Sequence, residues 1–214
     1  MIKQSLSVIL FILASFQVQA ADSIPESVLK SLNGQIVLVS STGDLDKDQI
    51  PDQALITSTG NEGTTTLVLR IFLTKAAKEP RETLKSETIL CSECRSILSL
   101  PNPYTLSINK GVLQIKSFGG SRVSVERATK WRLTDGAFVL IGATELEHDS
   151  IENVPVLEIK IDTNFLTGQT FETLTRKNGK VTNKCQTGKS IVRLQDFQDE
   201  KFAPKRCTSA RVGL

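Results

Sequence analysis

Four aspartates crowd one short stretch of this chain. Asp44, Asp46, Asp48 and Asp52 all fall within the nine residues from Asp44 to Asp52. Carboxylates at that density repel one another unless a cation sits among them. A hard cation such as Ca²⁺ takes roughly six to eight oxygen ligands at about 2.3–2.6 Å. A tight loop with acids at its first, third, fifth and ninth positions, plus the carbonyl of the seventh, supplies most of that set. Here the seventh position is Ile50. The expected ligands are therefore Asp44, Asp46, Asp48, the Ile50 carbonyl and Asp52, and the expected ion is a structural Ca²⁺. The competing expectation is a solvated acidic turn that binds nothing. The sixth position is Gln49. If the loop needs a positive φ there, a residue with a Cβ costs about 1 kcal/mol where glycine costs nothing.

Other residues with chemical potential carry less. Cys91-Ser92-Glu93-Cys94 has the spacing of a redox pair, but such a pair needs a helix N-terminus to lower a thiol pKa. Pro101 and Pro103 follow too closely for one, so a structural disulfide is expected. A four-cysteine zinc site is disfavoured because Cys185 and Cys207 form no second close pair. His148 is the sole histidine, which excludes a multi-histidine zinc centre. Its neighbours Asp149 and Ser150 adjoin it in sequence and so cannot oppose it as a triad would. Glu145, Glu147 and Asp149 alternate, so an extended strand lines them on one face. They are expected as a solvated face; a cation site, or the paired carboxylates of a hydrolase, are the alternatives. Lys201, Lys205, Arg206 and Arg211 make a basic tail, expected to be solubilising.

The acidic stretch resembles the calcium loops of FG-GAP repeats, as in integrin α-chain propellers, where D-x-D-x-D-G-x-x-D joins two strands. The resemblance spans Gly43 to Ile56 and implies a calcium loop within a β structure. It is not an EF-hand, since the position that would hold the bidentate glutamate is Leu55. A propeller needs at least four blades, and this loop occurs once.

The elements that must position these residues read mostly as strands. Ile36 to Val39, Ala54 to Thr57, Thr64 to Thr74 and Gly111 to Lys116 are rich in β-branched and apolar residues. Gly119-Gly120 reads as a turn. From Arg122 to Leu133, Val123, Val125, Trp131 and Leu133 share one face, which Arg127 interrupts. The scarce aromatics argue against a sugar-stacking surface, and Trp131 is expected in the core. Asp135-Gly136 is a hairpin signal leading into Ala137 to Glu147. Val154 to Ile161, Phe171 to Thr175 before Asn178-Gly179, and Ser190 to Leu194 complete about nine or ten strands. Leu84 to Leu100 has no clear pattern. One short helix is expected near the N-terminus, capped by Ser23, with Pro25 in its first turn and Gly34 at its end. Ile24, Val28, Leu29 and Leu32 would be its apolar stripe against a sheet edge. The fold class is mainly β: an antiparallel sheet, sandwich or open barrel with one short N-terminal helix.

Residues 1–20 have the form of a signal peptide: Lys3, an apolar run from Ser7 to Ala14, and small residues before a cleavage point after Ala20. No cysteine follows the run, which argues against a lipid anchor. The 21–214 remainder is expected to form one β-rich domain without a membrane span. The 214 residues are 39% hydrophobic and 23% charged, the mix of a folded protein. A net charge of +3, spread evenly, argues against nucleic-acid binding. Export places four cysteines in an oxidising compartment. Of three connectivities, the expected one joins the close pairs Cys91–Cys94 and Cys185–Cys207, the second pinning the C-terminal tail.

A wider set of features, from Gly43-Asp44-Leu45-Asp46 through Cys91-x-x-Cys94-Arg95, Phe118-Gly119-Gly120-Ser121 and Trp131-Arg132 to Asn164-Phe165-Leu166-Thr167-Gly168, is similar to a group of secreted bacterial β-rich proteins. That resemblance implies a bacterial exported domain and carries no catalytic residues. The expected role is non-enzymatic binding of a protein or envelope component in the periplasm or outside the cell. The alternatives are a periplasmic inhibitor or immunity protein, recognisable by a protruding loop near Pro101–Pro103, and a carboxylate-based hydrolase.

Overall fold

The computed structural model describes residues 24–59, 66–76, 78–90, 103–120, 122–150 and 158–207. The expected signal peptide, Cys91 and Cys94 lie outside these residues, as do Pro101 and Arg211. Two antiparallel sheets are built almost entirely from hairpins. The first has four strands in chain order: β1 (Ile36–Gly43), β2 (Asp52–Thr59), β3 (Thr66–Leu73) and β4 (Arg81–Ser86). The second has seven, also in chain order: β5 (Tyr104–Asn109), β6 (Val112–Gly120), β7 (Val123–Thr134), β8 (Ala137–Asp149), β9 (Glu158–Asn164), β10 (Gln169–Arg176) and β11 (Gly179–Gln186). The sheets do not close into a barrel; β4 and β11 are the outer edges.

Turn chemistry sets the register. Lys110-Gly111 and Asp135-Gly136 each place two successive residues at positive φ (50° and 75°, 50° and 77°). That is the two-residue hairpin geometry whose twist matches the flanking strands. It pairs Asn109 with Val112 and Thr134 with Ala137. The mainly β expectation is therefore met, with one core built from both sheets. Ala54, Ile56, Leu67, Leu69 and Ile71 of the first sheet meet Leu113, Trp131, Phe138 and Leu140 of the second. The sheets also touch along β1 and β5. Ser41 Oγ accepts the Ile108 amide at 3.1 Å, and a Cβ on Gly43 would lie 2.6 Å from Ile108 Cγ2.

Several expectations need correction. Helix α1 (Glu26–Ser31) has Pro25 at its N-cap, and Ser23 lies outside the described residues. It covers the outer face of the four-stranded sheet, where Val28 and Leu32 meet Leu55 and Phe72, and does not lie at an edge. Leu29 points away and is exposed. Gly119-Gly120 continues β6, paired with Val125 and Ser124, and the reversal follows it. Gly120 is required there: at φ 104° its Cβ would lie 2.1 Å from the Val123 carbonyl oxygen. Ser190 to Leu194 is not a strand. It holds one bridge, Val139 to Arg193, and a hydrogen bond from the Leu140 amide to the Val192 carbonyl, then turns at Leu194–Asp196. Side chains fasten this segment instead: Leu194 and Phe197 are buried, and the Phe197 ring meets Trp131 edge-on at 5.0 Å. A disulfide joins Cys185 of β11 to Cys207, closing the tail as expected. Trp131 is in the core, also as expected.

Candidate metal centre

The acidic loop is the β1–β2 connection, framed by the pair Gly43 and Asp52. Two anchors fix it. Leu45 inserts into the core at 1% exposure. Asp52, fully buried, accepts the Leu45 amide at 2.7 Å on one carboxylate oxygen and the Thr74 amide at 2.8 Å on the other. Asp52 thus ties the loop to the end of β3, and burial pushes its carboxyl above the usual carboxylate range against the pull of those two amides.

Between the anchors the loop winds around its own carboxylates. Asp44 accepts the amides of Lys47 at 2.5 Å and Gln49 at 2.9 Å. Asp46 accepts that of Asp48 at 3.3 Å, and Asp48 that of Ile50 at 2.9 Å. Lys47 and Gln49 adopt φ of 67° and 68°. The position where FG-GAP loops carry glycine therefore does turn left-handed, and Gln49 bears the cost. One oxygen from each of Asp44, Asp46 and Asp48 lies within 4.8 Å of the others. Lys75, just past β3, ion-pairs with Asp46 and reaches Asp48 at 3.5 Å. The hydrogen bond to Asp46 raises the Lys75 pKa, and the Ile50 amide lowers that of Asp48. Three carboxylates and one ammonium leave two negative charges, an all-oxygen set suited to a hard divalent cation.

Of the expected ligands, Asp44, Asp46 and Asp48 converge. Asp52 is turned to the backbone, and Ile50 enters through its amide. Lys75 was not visible from sequence, because it lies 29 residues from Asp46 and meets it only through β2–β3 pairing.

The alternating acids of β8 do not converge. Glu145 pairs with Arg127 at 2.7 Å, Glu147 with Arg206 at 3.6 Å and Asp149 with Arg122 at 3.4 Å. Each carboxylate faces an arginine. His148 is exposed beside them. The basic tail is partly used for attachment: Lys205 donates to the Thr187 carbonyl at 3.2 Å, and Arg206 holds Glu147. Arg127, the residue that interrupted the apolar face of β7, is the node missed by sequence. Its Nε and Nη2 reach Glu145 Oε2, and its Nη1 reaches both the carboxylate, at 2.7 Å, and the carbonyl, at 3.1 Å, of Asp199. The interruption itself was the available signal.

No protein-family model matches this chain, and no curated protein or solved structure matches it either. Among the described residues no helix is long and apolar enough to cross a membrane.

Proposed function

We propose that this is an exported bacterial protein with a non-enzymatic binding role, and that its β1–β2 loop holds one structural Ca²⁺. The observation that carries the calcium assignment is the convergence of Asp44, Asp46 and Asp48 on a loop anchored at both ends. Ion binding there closes the β1–β2 loop around its own carboxylates and displaces the Lys75 ammonium into solvent, while the Thr74 amide on Asp52 keeps the loop tied to the end of β3. The Cys185–Cys207 disulfide and the form of residues 1–20 support an oxidising, calcium-rich compartment, the periplasm or the exterior. A binding role is supported by chemistry: among the described residues Glu145, Glu147 and Asp149 of β8 are each tied to an arginine.

The test is calcium titration by calorimetry together with thermal melting. One calcium per chain should bind, and at a hundredfold excess over Kd it should add about 2.7 kcal/mol of stability. Lys75→Met should tighten binding by removing the competing ammonium, Gln49→Gly should tighten it by relieving the left-handed residue, and Asp46→Asn should abolish it. Absence of binding heat, with a melting temperature indifferent to millimolar Ca²⁺, removes the assignment.

A further inference from the structure

At the far end of β6 from the acidic loop, the seven-stranded sheet has a cavity of about 260 Å³ between Tyr104, Phe118, Gly119 and Val125, floored by Arg127 and Asp199. Gly119 pairs with Val125 across β6 and β7. A Cβ on Gly119 would meet no atom within 4 Å, so a side chain at this strand position has open space to extend into. Phe118 lines the cavity through its position in β6, while alternation turns its ring, paired with Glu126, to the other face of the sheet. The floor is charged unevenly. Arg127 carries one positive charge, and both Glu145 and Asp199 are bound to it. Its Nε, Nη1 and Nη2 donors are all engaged with them, which leaves the cluster one net negative charge beneath largely apolar walls.

That combination defines a ligand class. Pockets of this kind bind through apolar contact and use a few polar groups for orientation. An apolar cavity of about 150 Å³ takes a benzene ring, so 260 Å³ accommodates one ring with a short side chain. An ammonium group on that side chain would neutralise the surplus charge at Asp199. The Tyr104 ring, on the same face as Ser117 and Arg127, favours a cation over an anion. We propose that this cavity is a binding site for a small organic cation, a primary amine carried on a single aromatic or short aliphatic group. Asp199 receives the ammonium, and Val125 and Tyr104 cover the apolar part. The proposal is independent of the calcium assignment.

The experiment titrates the purified protein with three probes of similar size, 2-phenylethylamine, 2-phenylethanol and 3-phenylpropanoate, followed by calorimetry and amide chemical shifts. The amine should bind about tenfold tighter than the alcohol, the difference made by one charge-assisted contact, and the carboxylate most weakly. Shifts should cluster on Ser117 to Gly120 and on Val125. Gly119→Leu, which fills the cavity from a position with free space, should abolish binding of all three. Asp199→Asn should erase the preference for the amine. Three results overturn the proposal: no binding of any probe at millimolar concentration, an amine no tighter than the alcohol, or binding that survives Gly119→Leu. The last two readouts need only the wild type and a variant in open space, so they stand even if Asp199→Asn does not fold.

Discussion

Replacing Arg127 with methionine tests how the C-terminal segment is held to the sheet. The guanidinium side chain is 18% exposed, and those of its partners Glu145 and Asp199 are each 13% exposed. It makes charge-assisted contacts to both, adds the Asp199 carbonyl, and lies 5.5 Å from the centre of the Phe202 ring. Methionine fills much of the volume but leaves two poorly hydrated carboxylates facing each other without a counter-charge. Removing one partner of a buried ion pair costs about 3–5 kcal/mol, and loss of the ring contact adds about 0.5–1 kcal/mol. The expected loss is therefore about 4 kcal/mol, a large share of the ~5–15 kcal/mol that holds a domain folded. Urea denaturation at neutral pH measures it. Trp131, the sole tryptophan, reports directly, because its ring meets Phe197 in the same segment. The triple variant Arg127→Met, Glu145→Gln, Asp199→Asn should recover most of the loss, since the penalty belongs to the stranded charges and not to the missing arginine. A single variant costing under about 1 kcal/mol, or a triple variant no more stable than the single, refutes the argument.

Asp52→Ala should destabilise by about 2–4 kcal/mol, because the Leu45 amide is orphaned in the core and that of Thr74 loses its acceptor. Burial raises the folded Asp52 carboxyl above its unfolded value, so the native protein takes up this proton at higher pH than the unfolded chain. Wild-type stability from this group falls as pH rises through that window, and the gap between wild type and Asp52→Ala should narrow over the same interval in melts at stepped pH. Gly43→Ala should cost about 1–3 kcal/mol by overpacking against Ile108, and Ile108→Ala in the same chain should return part of it, as a double-mutant cycle would show. Cys185→Ser with Cys207→Ser should cost about 3 kcal/mol for loss of the 22-residue closure, measured by urea denaturation under non-reducing conditions.

What could be read from the sequence follows the range of the interactions. Strands β6 to β8 alternate cleanly because one face is core, and Asp135-Gly136 announces its own turn. The acidic loop was legible as a cluster because Asp44, Asp46 and Asp48 are neighbours in sequence. The direction of Asp52 was not. As the first residue of β2 it is oriented by strand pairing, which turns it onto two amides, and spacing alone carries no information about pairing. Strands β4, β5 and β11 escaped because strands at the end of a sheet owe their place to a neighbour: Arg81-Glu82-Thr83-Leu84-Lys85-Ser86 has too few apolar residues to declare itself. Ser190 to Leu194 erred the other way. It has strand composition, but its side chains are needed over the core, and it forms one bridge.

The acidic loop and the Arg127 cluster both gather carboxylates around a single cation, and their settings make them opposite devices. Lys75 is 56% exposed and within reach of bulk ions. At physiological ionic strength, screening over about 8 Å weakens its hold, so a divalent ion gains two charges on the site while giving up only a weakly held ammonium. Arg127 has no such competitor, because its two carboxylates are drawn under the C-terminal segment and the Asp199 carbonyl completes its contacts. Under the proposed calcium assignment the first arrangement exchanges its cation, and the second fixes it. They lie near opposite ends of β6, about 20 Å apart at ~3.3 Å per residue, and share no partner. Their contributions to stability should therefore add, leaving the calcium dependence of melting unchanged in an Arg127 variant.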